Sequence, residues 1–229
     1  LLAGNYDAAL SDALAVPAGF VKNAVYAEAA AVQWSTTGNQ FHQNRNRSGG
    51  LRRMYHNKVR GTFGAAPATG YVADWFDATK PDPRMAVTRI AGQLGVNNRF
   101  AYFGITKYAD RGADQPMLSS REMNLIAAEV YMRRGDFANM AAKLNAERTP
   151  FGLAEIPAPT SAAAAQQAVL NERMAVLFVE GHRAFDLHRF NLVGPVLGTG
   201  RNTMLPLSRN EILSNTSMKE GEATCPRIS

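Results

Sequence analysis

The sequence predicts a mainly all-α fold of packed helical hairpins, interrupted by a loop-rich excursion with room for short strands. Three observations carry this expectation. Two distant stretches, "LLAGNYDAALSDAL" (1–14) and "MRRGDFANMAAKLN" (132–145), share the pattern of a helix-to-helix turn. Apolar residues recur at helical spacing after a capping signal at Ser119. Between the helical parts, residues 36–118 lose that spacing and fill with Gly, Asn, Thr and Pro.

The elements follow in order along the chain. In the two turns Gly4 aligns with Gly135, Asn5 with Asp136 and Tyr6 with Phe137. The glycine accepts the left-handed conformation that ends one helix. The Asn or Asp caps the next helix by accepting a backbone N–H bond. The aromatic then docks the new helix on the old one, and small alanines permit close approach. Tetratricopeptide-type repeats use such a turn, so residues 1–35 are expected as tetratricopeptide-like helices. Residues 36–118 form the irregular excursion, with strands expected around 100–108. Long irregular segments in compact domains tend to carry function. Ser119 with Glu122 makes a capping box. Met123, Ile126, Ala127, Val130 and Tyr131 then run down one helical face, and Arg133 and Arg134 complement the dipole of the last turn. Residues 137–147 form the partner helix. "TPFGLAEIPAPTS" (149–161) is a loop, and 161–189 is a long helix in which Gly181 marks a point of breakage. Residues 119–190 thus form the helical core. The tail, 191–229, holds "LPLSRNEILSN" (205–215), where Ser208 and Glu211 suggest a short capped helix.

Bulk properties narrow the function. At 229 residues, with 46% hydrophobic and 19% charged residues, the chain can bury a real core, as one large domain or two small ones. No apolar run approaches the roughly 18–20 residues needed to span a bilayer. The opening residues carry no basic region and no cleavage site, so they are not a signal peptide. They look like the middle of a helical unit, and the chain is expected to lack an N-terminal part. The single cysteine, Cys225, allows neither an internal disulfide nor a cysteine-rich metal site. The net charge of +6 is carried largely by arginine, and only one short segment is dense in basic residues. The triplets Asn46-Arg47-Ser48 and Asn215-Thr216-Ser217 match glycosylation acceptors, a pattern common by chance.

The stretch "NERMAVLFVEGHRAFDLHRF" (171–190) decides between catalysis and scaffold. Each helical residue advances by roughly 100°. With Glu172 at zero, Arg173, Glu180, Arg183 and Asp186 fall with it in one arc of about 140° and alternate in sign. Leu170, Met174, Leu177, Phe178 and Phe185 fill an adjoining apolar stripe. Glu180 with Arg183, and Arg183 with Asp186, have i,i+3 spacing. His182 and His188 are six residues apart and lack the i,i+4 spacing of a zinc helix, so no metal is expected. Each carboxylate has a cationic neighbour, which lowers carboxylate pKa values and suits a structural lattice better than a general acid. No nucleophile elbow, phosphate-binding loop or dinucleotide fingerprint occurs. Glu172, Arg173, Glu180, Arg183 and Asp186 are therefore expected as structural ion pairs, with no catalytic residue and no cofactor.

Several lines of this chain resemble the SusD/RagB-like family. The 119–148 hairpin is similar to the family's helical pair through Glu122, Leu125-Ile126, Ala128-Glu129, Arg134-Gly135-Asp136, Leu144-Asn145 and Arg148. Glu172-Arg173, Glu180-Gly181, Arg183, Asp186-Leu187 and Arg189 resemble its most recognisable line. "LPLSRNEILSN" resembles its C-terminal signature, and "KYADRGADQPML" (107–118) also fits. Order and spacing agree across about 100–215, while 1–35 fits more loosely. Val176 departs from the pattern, standing where a glutamate is often found. The chain is much shorter than usual members, and Cys225 lies at the wrong end to be the lipidated cysteine.

The resemblance implies a lipid-anchored cell-surface protein of the bacterial outer membrane. Such proteins capture glycans or other nutrients for a partner TonB-dependent, SusC-like transporter, and they are binders without catalysis. Their ligand residues follow no motif, so site residues are read from chemistry. Sugar rings stack on exposed aromatics, and their hydroxyls need polar partners. Trp34, just before the excursion, and Tyr55, Tyr71, Asp74, Trp75 and Phe76 within it are the candidates, with "YVADWFD" (71–77) the best single segment. An aromatic cluster also commonly plugs a loop onto the core. Two other functions stay open: a helical-repeat scaffold that binds protein or copies of itself, and a nucleic-acid binder using basic residues 45–60. The second is disfavoured, and no nucleic-acid partner is expected.

Overall fold

The computed structural model describes residues 1, 3–26, 82–85, 87–94, 101–105, 107–108 and 112–197. The described part is mainly helical. Its order is α1 (Tyr6–Ala15), β1 (Val21–Ala24), β2 (Val87–Leu94), β3 (Ala101–Ile105), β4 (Gln115–Ser119), α2 (Ser120–Arg133) and α3 (Phe137–Asn145). A 3-10 turn (Thr149–Phe151), α4 (Ala162–Val176), α5 (His182–Arg189) and α6 (Val193–Leu197) follow. The expected helix at 205–215, both glycosylation triplets, Cys225 and the basic 45–60 segment lie outside the described residues. The chain divides into two compact units, residues 1–183 and 184–229.

In the first unit α2 is the central helix, packing against α1, α3 and α4. Leu10 and Ala13 of α1 meet Ala127 and Val130 of α2 in one cluster, with Tyr6, Met123 and Tyr131 packed against it. Burying a leucine or valine such as Leu10 or Val130 contributes about 1.5–3 kcal/mol. Leu125, Ala128, Met140 and Leu144 are also fully buried. The paired alanines Ala127 and Ala128 leave room for helices on more than one side of α2.

The two matching turns adopt the same geometry. Gly4 has φ +75° and Gly135 φ +73°. After α2, Gly135 N donates to Met132 O at 3.1 Å and Asp136 N to Tyr131 O at 2.9 Å, the paired bonds that close a helix through a left-handed glycine. Asn5 then caps α1 by accepting from Ala8 N, and Asp136 caps α3 by accepting from Asn139 N. A Cβ at Gly135 would meet nothing within 4 Å, so only backbone strain opposes it. Gly135→Ala is expected to cost about 1 kcal/mol in chemical denaturation, with the fold retained.

The cap also sets a titration. The side chain and backbone N–H of Asn139 hold the Asp136 carboxyl below its ordinary value of 3.8. A carboxyl with a depressed folded pKa stabilises above its unfolded pKa, and the contribution is lost as pH falls through the folded value. Asn139→Ala keeps the backbone donor and removes the side-chain one. NMR titration of Asp136 in that variant should show its pKa moving part of the way back towards 3.8.

Pro17 and Gly19 end α1, and the chain turns into β1, a strand inside the stretch expected as helix. β1 runs antiparallel to β4, pairing Val21 with Ser119 and Lys22 with Leu118, then Asn23 with Pro116 and Ala24 with Gln115. Met117 is the extra residue that makes the bulge. Ser119 ends β4 and caps α2, its hydroxyl accepting from Glu122 N at 3.2 Å. β2 and β3 form a second antiparallel pair, Val87 opposite Ile105 and Arg89 opposite Phe103; β3 falls where strands were expected, around 100–108, and β2 lies earlier in the excursion.

The long helix expected over 161–189 is two helices. Ser161 caps α4, accepting from Ala164 N. Residues 177–181 leave the helix, with Val179 at φ +56° and Gly181 at φ +90°. A β-branched residue with positive φ is strained, so the break is held by its surroundings and does not depend on Gly181 alone. In the second unit, Asn191 takes the left-handed conformation after α5 (φ +53°), and Leu192 N returns to Leu187 O at 2.7 Å.

Candidate functional site

The densest polar constellation among the described residues is built on Glu172, in the middle of α4. Its side chain is only 5% exposed. One carboxylate oxygen accepts from Arg84 Nη1 at 2.5 Å and the other from Arg148 Nη1 at 2.5 Å. Arg84 arrives on a tight turn in which Asp82 accepts from its backbone N and its Nε, both at 2.9 Å, and from Nη2 at 2.7 Å. Arg84 also donates to Glu147 O at 3.3 Å. Burial alone would lower the Arg84 pKa, but the hydrogen bonds and charges of Asp82 and Glu172 more than offset it and hold it above the ordinary value.

The network continues towards α2. Glu147, just past α3, accepts from Arg121 Nε at 2.9 Å and Asn124 Nδ2 at 2.8 Å. The Arg121 guanidinium lies over the Phe151 ring at 5.0 Å. Asn145 clamps the following loop with two bonds, Nδ2 to Ile156 O at 3.0 Å and Ile156 N to Oδ1 at 2.9 Å. Arg148 Nε donates to Ala154 O at 2.7 Å. Charges from three parts of the chain thus converge on the start of α2, the end of α3 and the middle of α4. On the far side of α2, the fully buried Glu129 pairs with Arg133 at 2.9 Å.

The other residues expected as ion pairs are placed as follows. Arg173 is buried beside Glu172 on α4. Glu180 lies in the turn before α5, where Lys107 Nζ reaches its carboxylate at 2.5 Å and Phe178 O at 2.8 Å. Burial pulls the Lys107 pKa below the ordinary lysine value, and the Glu180 charge partly restores it. Arg183 is buried in the first turn of α5, and Asp186 bonds to Arg189 Nε at 2.9 Å. Because of the break at 177–181, the residues after it do not continue the helical arc of Glu172. His182 Nδ1 lies 3.7 Å from Glu122. No group of three or more His, Cys, Asp or Glu converges among the described residues.

An open pocket of about 270 Å³ lies beside this network, between α4 and the loop through Ile156 and Pro157. Trp34, Tyr55, Tyr71, Asp74, Trp75 and Phe76 all fall outside the described residues. Sequence reasoning missed Asp82, Arg84 and Lys107 as partners of the α4 charges. The usable signal was composition: a charged Asp-Pro-Arg turn and a lysine in an otherwise irregular stretch.

Chemically the arrangement is tightly paired. Each oxygen of Glu172 and of Glu147 accepts a hydrogen bond from an arginine or asparagine side chain, which fixes both carboxylates in place. No helix among the described residues is long and apolar enough to cross a membrane.

Comparison with known proteins adds the family. Among curated proteins nothing matches. Two solved structures are similar over part of their length. One is a SusD superfamily protein from Bacteroides vulgatus, 14% identical, with a TM-score of 0.44 over 63% of this chain and 34% of that one. The other, BT4246, is 23% identical, with a TM-score of 0.39 over 47% of this chain and 21% of that one. The chain therefore spans about a third of the first and a fifth of the second. The model of the SusD family matches residues 91–224, more than half of the chain and the part that holds α2, α3, α4 and α5. This chain belongs to the SusD family.

Proposed function

We propose that the protein works at the bacterial cell surface, capturing glycans or other nutrients and passing them to a TonB-dependent, SusC-like outer-membrane transporter. Membership of the SusD family, through the match over 91–224, carries this reading. The buried ion pairs around Glu172 support it, because they suit a rigid scaffold that binds better than a site that reacts. The protein is a binder, held at the outer membrane through a lipid anchor. A glycan array followed by calorimetry tests capture. The expected result is saturable binding of at least one polysaccharide, with the ligand recovered intact. Co-purification of a TonB-dependent transporter from outer membranes tests the partnership. Binding to no glycan or other nutrient, or depolymerisation of the ligand, would count against the reading.

A second reading has its own support. The paired turns at Gly4 and Gly135 are the repeated unit of helical scaffolds that bind protein. Light scattering separates the two, since self-assembly without glycan binding favours the scaffold.

A further inference from the structure

We propose that the pocket between α4 and the Ile156–Pro157 loop is a subsite for one neutral, hydroxyl-rich ring, a single sugar residue. The proposal rests on the glycan-capture reading, and it names residues other than the aromatic ones expected at 34–76.

Size comes first. About 270 Å³ is slightly below the ~300 Å³ at which drug-sized ligand pockets begin. The space suits one small ring with a little water and excludes a folded oligomer. Its walls are of two kinds. Ile156 and Pro157 on one side and Ala168 and Ala175 on the other are apolar and suit the C–H faces of a ring. Arg148 and Asn171 also line it and are only partly committed. Arg148 spends Nε on Ala154 O and Nη1 on Glu172, which leaves both N–H groups of Nη2 without a partner among the described residues. Asn171 accepts from Gln167 through its Oδ1, which leaves both N–H groups of Nδ2. A ligand rich in oxygen acceptors meets these donors.

Charge then selects among such ligands. Asp82 and Glu172 balance Arg84 and Arg148, two negative against two positive, and they are already paired. An anion would have to break the Arg148–Glu172 pair or sit beside Glu172 without an uncommitted counter-ion, and desolvating it there costs more than the exposed N–H groups return. A neutral hydroxyl meets no such penalty. The pocket is also pre-formed. Asn145 fixes Ile156 with two hydrogen bonds and Glu172 fixes Arg148, so little ordering entropy remains to be lost on binding.

The test uses alanine-methyl NMR on the full chain. The probes are the methyl glycosides of glucose, galactose, mannose and N-acetylglucosamine, short oligosaccharides of the same sugars, and glucuronate as the charged control. At least one neutral probe should shift the Ala168 and Ala175 methyl signals saturably, with glucuronate at least about tenfold weaker. Ala168→Leu fills the pocket from a half-buried helical position where leucine is well tolerated, and it should weaken binding at least about tenfold. Arg148→Met should weaken it too, but that variant also disturbs the ion pair, so Ala168→Leu is decisive. Saccharide binding that Ala168→Leu leaves unchanged, or a preference for glucuronate, overturns the subsite and leaves glycan capture standing. Absence of binding to any saccharide overturns both.

Discussion

Replacing Glu172 with leucine is expected to cost about 3–5 kcal/mol of folding free energy. The cause is the pair of cations it leaves behind. Arg84 keeps Asp82, but Arg148 loses the one carboxylate paired with it among the described residues, while its side chain remains 18% exposed. An uncompensated buried charge is far more costly than a missing surface ion pair, which is worth about 0–1 kcal/mol. Against a typical total of about 5–15 kcal/mol, the loss takes much of the stability of the fold. Urea denaturation followed by far-UV circular dichroism reads it directly. The midpoint should fall with little change in slope. A loss below about 1 kcal/mol would mean that these pairs behave as surface pairs.

Phe178→Ala should be comparably damaging, at about 3–5 kcal/mol. Phe178 is the largest fully buried side chain among the described residues, and it lies just past the end of α4. The ring and the backbone act together at this point. Lys107 holds Phe178 O, and the next residue, Val179, is kept at positive φ. Removing the ring takes away packing that keeps the strained break in place, so both the cavity and the release of Val179 favour unfolding. Phe178→Leu retains most of the apolar volume and should recover more than half of the loss. If the two variants were equally unstable, shape at this position would matter more than buried volume.

What the sequence revealed depended on the range of the interaction. Caps and turns are local, so Ser119, Asp136, Gly4 and Gly135 could be assigned from residues three or four positions apart. The family lines were legible for the same reason, as short patterns of neighbouring residues in a fixed order along the chain. The partners of Glu172 were harder. Arg148 is 24 residues away and Arg84 is 88, and no periodicity links a turn in an irregular stretch to the middle of a helix. The wheel drawn through 171–190 placed the charges together on the assumption of continuity. Gly181 marked the break, but nothing local announces a left-handed valine at 179. β1 was obscured by the alanine-rich sequence around it, because a four-residue strand depends on its partner β4 more than on its own propensity.

Glu172 serves as a structural counter-ion, joining Arg84 and Arg148. A double-mutant cycle on unfolding free energy, combining Glu172→Gln with Arg84→Met, tests it most directly. The double variant should lose much less than the two single losses added together, with a coupling of about 2 kcal/mol or more. Losses that simply add would contradict it.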